Sequence, residues 1–216
     1  MNLQASPTIV GNVYDKYATS NPIVRWLMQG FLNAVSELYL SVRPRRVLEV
    51  GCGEGHLSQH LIKLAHTPEA FHACDLSLTH LASGLDERLI FCEADIYKLP
   101  FEGSRFDLVI CCEVLEHLEC PERGLAEVCR VSKDAVLVST PREPLWRCLN
   151  LLRGKYWSDW GNTPGHVQHF SESGLQSFLG SRFDIREIRS PLPWTVILGH
   201  LRCRPTPPFN DTHQRP

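Results

Sequence analysis

The residues best placed to do chemistry begin at a glycine-rich turn. Gly51, Gly53 and Gly55 alternate with other residues directly after an apolar run, and Glu49 lies two positions before the first of them. Glycine permits the tight turn that a strand makes before a helix, and it lets a ligand approach the backbone closely. A helix that begins behind such a turn presents unpaired N–H groups and the positive end of its dipole. We therefore expect this segment to be a cofactor-binding loop.

The carboxylate of Glu49 indicates which kind of cofactor the loop would bind. Dinucleotide-binding dehydrogenases carry the spacing G-x-G-x-x-G, in which the third glycine packs the helix against the strand. Here the third glycine comes one position earlier. A carboxylate beside the loop would repel a pyrophosphate, because both groups are negative. The pattern favours a ligand with a positive or donor-rich group near the glycines.

Two further acids follow the next two predicted strands. Asp75 ends the second strand, where the ribose of an adenosine cofactor is expected, and its two oxygens can accept hydrogen bonds from both hydroxyls of the diol. Asp95 follows the third strand and is a candidate acceptor for an adenine amino group. The neighbouring apolar residues Leu76 and Ile96 would then cover the ring.

Each acid also has a structural alternative. Glu49 could pair with an arginine at the edge of its strand. Asp75 could cap a helix beginning at Ser77, and Asp95 could be an ordinary turn residue. These roles need no ligand, so the assignment depends on the three acids occurring together.

Three histidines are candidates for a catalytic general base. His117 follows the fourth predicted strand by a few residues, and His166 and His169 lie in the connection after the fifth. An imidazole titrates near neutral pH, so it can take a proton from an acceptor under physiological conditions. A structural hydrogen bond is the alternative role for each. No Cys-x-x-Cys pair occurs, and no metal site is assigned. A metal site built from these histidines is kept as an alternative.

Alternating helices and strands are predicted to position these residues. A first helix runs from Pro22 to Leu40, with Asn21 or Ser20 as its N-cap. Later helices are predicted at 56–65, from Asp75 to about Gly84, at 120–131 and at 171–179, the last with Ser171 as a candidate N-cap. The predicted strands are Val47–Val50, Ala70–Cys74, Arg88–Glu93, Phe106–Cys112, Ala135–Ser139, Phe183–Ile188 and Trp194–Leu201. Apolar runs separated by helices indicate a parallel sheet covered on both faces. We predict an α/β, Rossmann-like fold whose seven-stranded sheet is mostly parallel, with an antiparallel last strand and helices on both faces.

The composition limits the possible partners and location. The charged content of 21% is typical of a globular protein, and the net charge of −2 weighs against a nucleic-acid surface. No apolar run reaches the length of about 18 residues that a transmembrane helix needs, and the first ten residues lack the features of a signal peptide. The nine cysteines form no regular framework, as expected for reduced thiols. These observations predict a cytoplasmic protein that is a monomer or a homodimer.

The connection between residues 141 and 170 is the candidate acceptor-binding segment. Aromatic and basic side chains crowd there, and long connections of this kind often cover a substrate. An apolar or aromatic acceptor with an anionic group would suit this mixture. Packing against the sheet, or a dimer surface, is the alternative. The residues are Arg142, Trp146, Arg147, Arg153, Tyr156, Trp157 and Trp160.

Four motifs in order resemble the class I S-adenosylmethionine-dependent methyltransferase superfamily. The resemblance covers about residues 10 to 200 and is nearest to its small-molecule branch, which includes ubiquinone-type O-methyltransferases. One departure is the run Val131–Asp134, where many members have a Pro-Gly-Gly turn. The four motifs lie at 47–55, 74–77, 94–101 and 106–118.

The resemblance implies a role for each candidate cofactor residue. Glu49, the glycine loop and Cys52 would bind the methionine end of the cofactor, Asp75 the ribose, and Asp95 the adenine. Leu76 and Ile96 would contact the ring. Cys112 and Glu113, which leave the fourth strand, would line the methionine side and the exit of the methyl group. Tyr17, in a run similar to an N-terminal lid, would close over the cofactor.

The resulting prediction is an S-adenosylmethionine-dependent methyltransferase that acts on a small molecule, with a hydroxyl oxygen as the expected acceptor. One alternative is a C- or N-methyltransferase acting on a quinone- or lipid-like, protein or tRNA substrate. A second is a non-catalytic S-adenosylmethionine-binding module. The expected domain organisation is a helical lid or cap at 1–42, the methyltransferase domain at 43–203 with its insert at about 141–170, and a disordered tail at 204–216.

Overall fold

The computed structural model contains a seven-stranded sheet with helices on both faces. It describes residues 19–152, 160, 162–163 and 165–202. The strands are β1 (Arg46–Val50), β2 (Ala70–Asp75), β3 (Leu89–Glu93), β4 (Phe106–Cys112), β5 (Ser132–Pro141), β6 (Phe183–Arg189) and β7 (Trp194–Leu201). The helices are α1 (Pro22–Val42), α2 (His56–Leu61), α3 (Pro121–Val131), α4 (Leu145–Leu152) and α5 (Glu172–Gly180), with a 3₁₀ turn at Leu115–His117.

The strand order is β3-β2-β1-β4-β5-β7-β6. The pairs β1–β2, β1–β4, β2–β3 and β4–β5 are parallel. β7 runs antiparallel to both of its neighbours, β5 and β6. The predicted fold class is therefore confirmed. The order reverses at β1, so the ends of β1 and β4 open the crevice in which ligands of such sheets bind.

Two apolar cores hold the sheet between its helices. On one face, α1 and α2 bury side chains such as Phe31 and Leu38 against β1, β4, β5 and β7. On the other face, α3 and α5 pack against the opposite sides of the same strands, with Leu125 and Leu175 almost fully buried. Because both faces are covered, the central strands β4 and β5 are buried along most of their length, which explains why their apolar runs could be recognised in the sequence.

The first helix begins where its capping residues predict. The side chain of Asn21 accepts hydrogen bonds from the backbone N–H groups of Ile23 at 2.9 Å and Val24 at 3.4 Å. Pro22 occupies the first turn, where its missing N–H costs nothing. Ser171 caps α5 in the same way, through the N–H of Gly174 at 3.0 Å. Both predicted caps are confirmed.

Two secondary-structure predictions were wrong, and one helix was missed. The described chain between residues 76 and 88 contains no helix, because the hydroxyl of Ser77 accepts the backbone N–H of Thr79 and also bonds to the Thr79 hydroxyl. The second helix ends at Leu61 rather than Ala65, and turns follow it. α4, which lies inside the insert, was not predicted, because its aromatic and basic residues suggested a loop.

Candidate cofactor and acceptor site

The glycine loop after β1 has the backbone geometry that only glycine adopts easily. Gly51, Gly53 and Gly55 have φ values of 77°, 52° and 81°. A Cβ atom on Gly51 would lie 2.3 Å from Cγ2 of Val114, which follows β4. The N–H groups of Gly51 and Cys52 donate to the carbonyl of Cys74 at 2.8 and 3.0 Å. The loop is therefore packed between the ends of β2 and β4.

Glu49 lies under this loop and is almost fully buried, with 3% of its surface exposed. Ser58, on α2, donates a hydrogen bond from Oγ to Oε2 of Glu49. Burial raises the pKa of Glu49 to about 8, and the charge of Asp75 acts in the same direction. The structural alternative, in which Glu49 pairs with an arginine at the strand edge, does not fit a carboxylate bonded to Ser58 inside the fold. A bound cation would restore the ionised form, because it offsets the cost of burying the charge.

Asp75 connects the glycine loop to the end of β2. Its Oδ2 accepts the N–H of Gly53 at 2.7 Å, and its Oδ1 accepts the N–H of Leu76 at 2.7 Å. The alternative role of helix cap does not apply, since no helix begins at Ser77. Each carboxylate oxygen can accept more than one hydrogen bond, so a ribose diol can still be bound here.

The proposed adenine contacts have different surroundings. Oδ1 of Asp95 accepts the N–H of Tyr97 at 2.9 Å, so Asp95 also serves as a turn residue. Ile96 is buried against Gly124, whereas Leu76 is 52% exposed beside Asp75. Leu76 therefore offers the more open apolar surface for a ring.

Two residues at the end of β4 lie beside the loop. Cys112 is buried, and burial raises the pKa of its thiol well above the ordinary value. Glu113 is half-buried and has φ 59°, in the left-handed region. Its Oε2 accepts the indole N–H of Trp194 at 2.7 Å, and its Oε1 accepts the hydroxyl of Ser139 at 3.3 Å. The sequence interpretation missed Trp194 and Ser139, because they lie on β7 and β5.

Two of the three predicted histidines come together, and Glu116 joins them. The rings of His117 and His166 are 4.8 Å apart. Ligand atoms of Glu116, His117 and His166 all lie within 4.8 Å of one another. His169 has a separate contact, from its Nε2 to Oδ1 of Asn162 at 2.9 Å. The sequence signal for Glu116 was its position directly before His117.

The insert is fastened to the 3₁₀ turn by its backbone. The N–H groups of Val167 and Gln168 donate to the carbonyl of Glu116 at 2.8 and 3.0 Å. Nδ1 of His117 lies 3.0 Å from the carbonyl of Gly165. These bonds hold His166 beside the end of β4, although the two segments are about 50 residues apart in the sequence.

This cluster has the donor set of a divalent cation site. Two imidazoles and a carboxylate suit several first-row divalent metals. Glu116 is 2% exposed and His166 is 9% exposed, while His117 is open to solvent. The residues present therefore fit a cation, although no metal site was assigned from the sequence.

A row of aromatic rings borders the cluster on one side. Trp146 stacks on His166 at 6.2 Å and contacts Trp194 at 5.9 Å, and Trp194 contacts Phe31 at 5.0 Å. Trp146 donates its indole N–H to Thr163 at 2.9 Å. The row joins α1, β7, α4 and the insert, so Trp146 both packs the insert and borders the crevice.

Several predicted residues lie outside the described part of the chain. They are Tyr17 of the expected lid, the insert residues Arg153, Tyr156 and Trp157, and the expected tail at 204–216.

Comparison with known proteins gives a family match in the region of the four motifs. Residues 48–138 match the methyltransferase domain family. These residues therefore form a methyltransferase domain of the S-adenosylmethionine-dependent superfamily that the sequence motifs resemble. The matched segment contains Glu49, the glycine loop, Asp75, Asp95 and Glu113, and it ends inside β5. For this segment, the predicted superfamily is confirmed.

Relatives within this superfamily differ in the atom that they methylate. The chain is 31% identical to norajmaline N-methyltransferase of Rauvolfia serpentina, over 43% of this chain and 34% of that protein. It is 25% identical to O-methyltransferase rstn1 of Aspergillus nomiae, over 61% of this chain and 69% of that protein. The chain thus spans about a third of the first relative's length, and the shared part does not specify the acceptor atom.

A solved structure shows the same fold. Magnesium protoporphyrin IX methyltransferase from Synechocystis PCC 6803, solved with bound SAH, superimposes with a TM-score of 0.60 at 19% identity. The alignment covers 85% of this chain and 89% of that one. Among the described residues, no helix is both long and apolar enough to cross a bilayer.

Proposed function

We propose that this chain binds S-adenosylmethionine and transfers its methyl group to a hydroxyl oxygen of a small molecule. The observation that carries the proposal is a group of carboxylates at one edge of the sheet. Glu49 and Asp75 lie at the carboxyl ends of β1 and β2, and Glu113 and Glu116 follow the carboxyl end of β4. Such an edge attracts a cation and repels a pyrophosphate. S-adenosylmethionine carries an ammonium, a sulfonium and a ribose diol, which suit these groups.

Contacts already present support a position for the cofactor. Asp75 would bind the diol, with Leu76 beside the adenine and Asp95 near its amino group. Glu49 and the N–H groups of the loop would bind the methionine end. Asp75 already fixes Gly53, so the loop is preformed and loses little freedom on binding. Tyr17 is retained from the sequence as a candidate lid residue.

For methyl transfer, the protein mainly has to align the acceptor oxygen with the methyl carbon, and no covalent enzyme intermediate is needed. The acceptor oxygen forms a bond to the methyl carbon while the carbon–sulfur bond breaks, and the sulfur keeps the electron pair. The product is a neutral thioether, S-adenosylhomocysteine. The hydroxyl proton passes to an imidazole of the cluster, for which His117 and His166 are the candidates. His169 stays a third candidate from the sequence, although its contact is with Asn162.

A divalent cation held by Glu116, His117 and His166 is a second way to activate the acceptor. When bound, such an ion would lower the pKa of a coordinated hydroxyl and orient its oxygen. The three side chains would then hold the ion, while the aromatic row beside His166 would border the acceptor and exclude water. The donor types and their spacing support this version.

Binding is the first test of the proposed function. Calorimetry should show binding of S-adenosylmethionine and S-adenosylhomocysteine and none of NAD. Binding of NAD alone would refute the assignment.

Acceptor screening then tests the reaction. Release of S-adenosylhomocysteine is measured with phenols, amines, quinones, tRNA and protein, with and without Mn²⁺. Turnover on phenols supports the proposal, while turnover only on tRNA, protein, amines or carbon acceptors replaces its substrate class. Cofactor binding without any turnover would favour the non-catalytic alternative.

A further inference from the structure

Glu113 is held in a conformation that its sequence does not favour. A non-glycine residue in the left-handed region persists when its surroundings fix it, and such residues cluster at functional sites. Its N–H donates to the carbonyl of Ser139 at 3.1 Å, which ties the turn to β5. The strain is therefore confined to the point where the chain leaves β4.

Two donors from other strands fix the carboxylate of Glu113. Trp194 on β7 donates to one oxygen at 2.7 Å, and Ser139 on β5 donates to the other at 3.3 Å. Trp194 is 3% exposed and lies between Phe31 and Trp146. The indole cannot easily turn away, so the direction of the carboxylate is set by packing.

The position of Glu113 relates it to a particular part of the methyl donor. Neighbouring strands are about 4.8 Å apart, so the end of β4 lies roughly 10 Å from the end of β2. With the ribose diol at Asp75 on β2, the sulfur on the 5′ carbon extends over β1 towards β4. Val114, the next residue, touches the glycine loop at Gly51. Glu113 thus lies on the sulfur side of the loop.

We infer that Glu113 is a specificity-determining residue that favours the positive sulfur of the methyl donor over the neutral sulfur of the product, with Trp194 and Ser139 as its positioning residues. The inference rests on the proposed function. Methyl transfer removes the positive charge from sulfur, so the attraction to the carboxylate disappears with the reaction. Glu113 would therefore promote exchange of spent product for fresh donor.

The test compares ligands that differ in this charge and requires no acceptor. Dissociation constants are measured by calorimetry for S-adenosylmethionine, S-adenosylhomocysteine and sinefungin, which carries an amine at the sulfonium position. Glu113→Gln should weaken the two positive ligands about tenfold and S-adenosylhomocysteine less than threefold. Trp194→Phe keeps an aromatic ring but loses the indole N–H that donates to Glu113. It should weaken binding of the two positive ligands about threefold. In the Glu113→Gln background, Trp194→Phe should add nothing, because the coupled charge is gone.

A matched control separates this role from a general effect of removing a carboxylate. Glu122→Gln removes an exposed carboxylate on α3, and it should not change the ratio of affinities. Equal weakening of all three ligands by Glu113→Gln, or no weakening, overturns the inference while leaving the proposed function intact. Wild-type protein that binds none of the three overturns both.

Discussion

Replacing Glu49 by glutamine tests whether burial of this carboxylate raises its pKa and makes the stability of the protein depend on pH. Burial raises the pKa of Glu49 from 4.5 to about 8. Each pKa unit corresponds to about 1.36 kcal/mol, so ionising this side chain costs roughly 5 kcal/mol more in the folded protein than in the unfolded chain. A glutamine of nearly the same shape can still accept the hydrogen bond from Ser58 but never ionises.

The sign of the effect follows from proton linkage. Glu49 has a higher pKa in the folded chain than in the unfolded chain, so its contribution to stability is present below about pH 4.5 and is lost as the pH rises through about 8. Glu49→Gln lacks this loss. The free energy of unfolding of the variant, relative to the wild type, should therefore rise by roughly 4 kcal/mol between about pH 5 and pH 9.

Urea unfolding of both proteins across this pH range provides the measurement. All other titrating groups are shared, so the difference between the two curves isolates Glu49. Ser58→Ala removes the hydrogen bond that lowers the pKa, and it should make the loss of stability with pH larger. Saturating S-adenosylmethionine should reduce the loss in the wild type, because the cation favours the ionised form. Parallel curves for wild type and Glu49→Gln would refute the reasoning.

Other predictions concern the loop, the cluster and the first helix. Gly51→Ala should reduce cofactor affinity at least tenfold in calorimetry, since its Cβ would lie 2.3 Å from Val114 and its φ is 77°; unchanged binding would contradict the close packing. Asp75→Ala should weaken cofactor binding, whereas His166→Ala should lower turnover with cofactor affinity nearly unchanged; equal loss of binding in both would remove this division of roles. Wild-type protein should bind Mn²⁺ in calorimetry and His166→Ala at least tenfold more weakly; identical affinities would exclude the cluster as the ion site. Asn21→Ala should lower the free energy of unfolding by about 1 kcal/mol in urea, with Asn21→Ser as the conservative control.

The parts of the fold that follow local rules were predictable from the sequence. β4 and β7 were predicted at their observed bounds, because fully buried strands are continuous apolar runs. Asn21 and Ser171 were identified as caps because their side chains bond to nearby backbone. The helix expected after Asp75 was wrong, since short polar side chains there satisfy the backbone in turns instead.

The candidate site was predictable only on its cofactor side. Glu49, the glycines and Asp75 follow consecutive strands, so their order in sequence is also their order along the sheet edge. The partners of Glu113 come from β5 and β7, and His166 meets Glu116 through backbone bonds across 50 residues. Contacts between such distant segments depend on packing, which no local pattern encodes.

The backbone bonds between the insert and Glu116 have a consequence for how this protein can change. Val167 binds through its N–H group, so replacing its side chain with any residue except proline leaves that bond in place. Gln168 binds through its N–H group and also through its side chain, which donates to the carbonyl of Leu118 at 3.2 Å. The glycine loop is anchored separately, through Asp75 and Cys74. In the proposed function, sequence variation elsewhere in the insert would reshape the acceptor side while the donor side keeps its geometry.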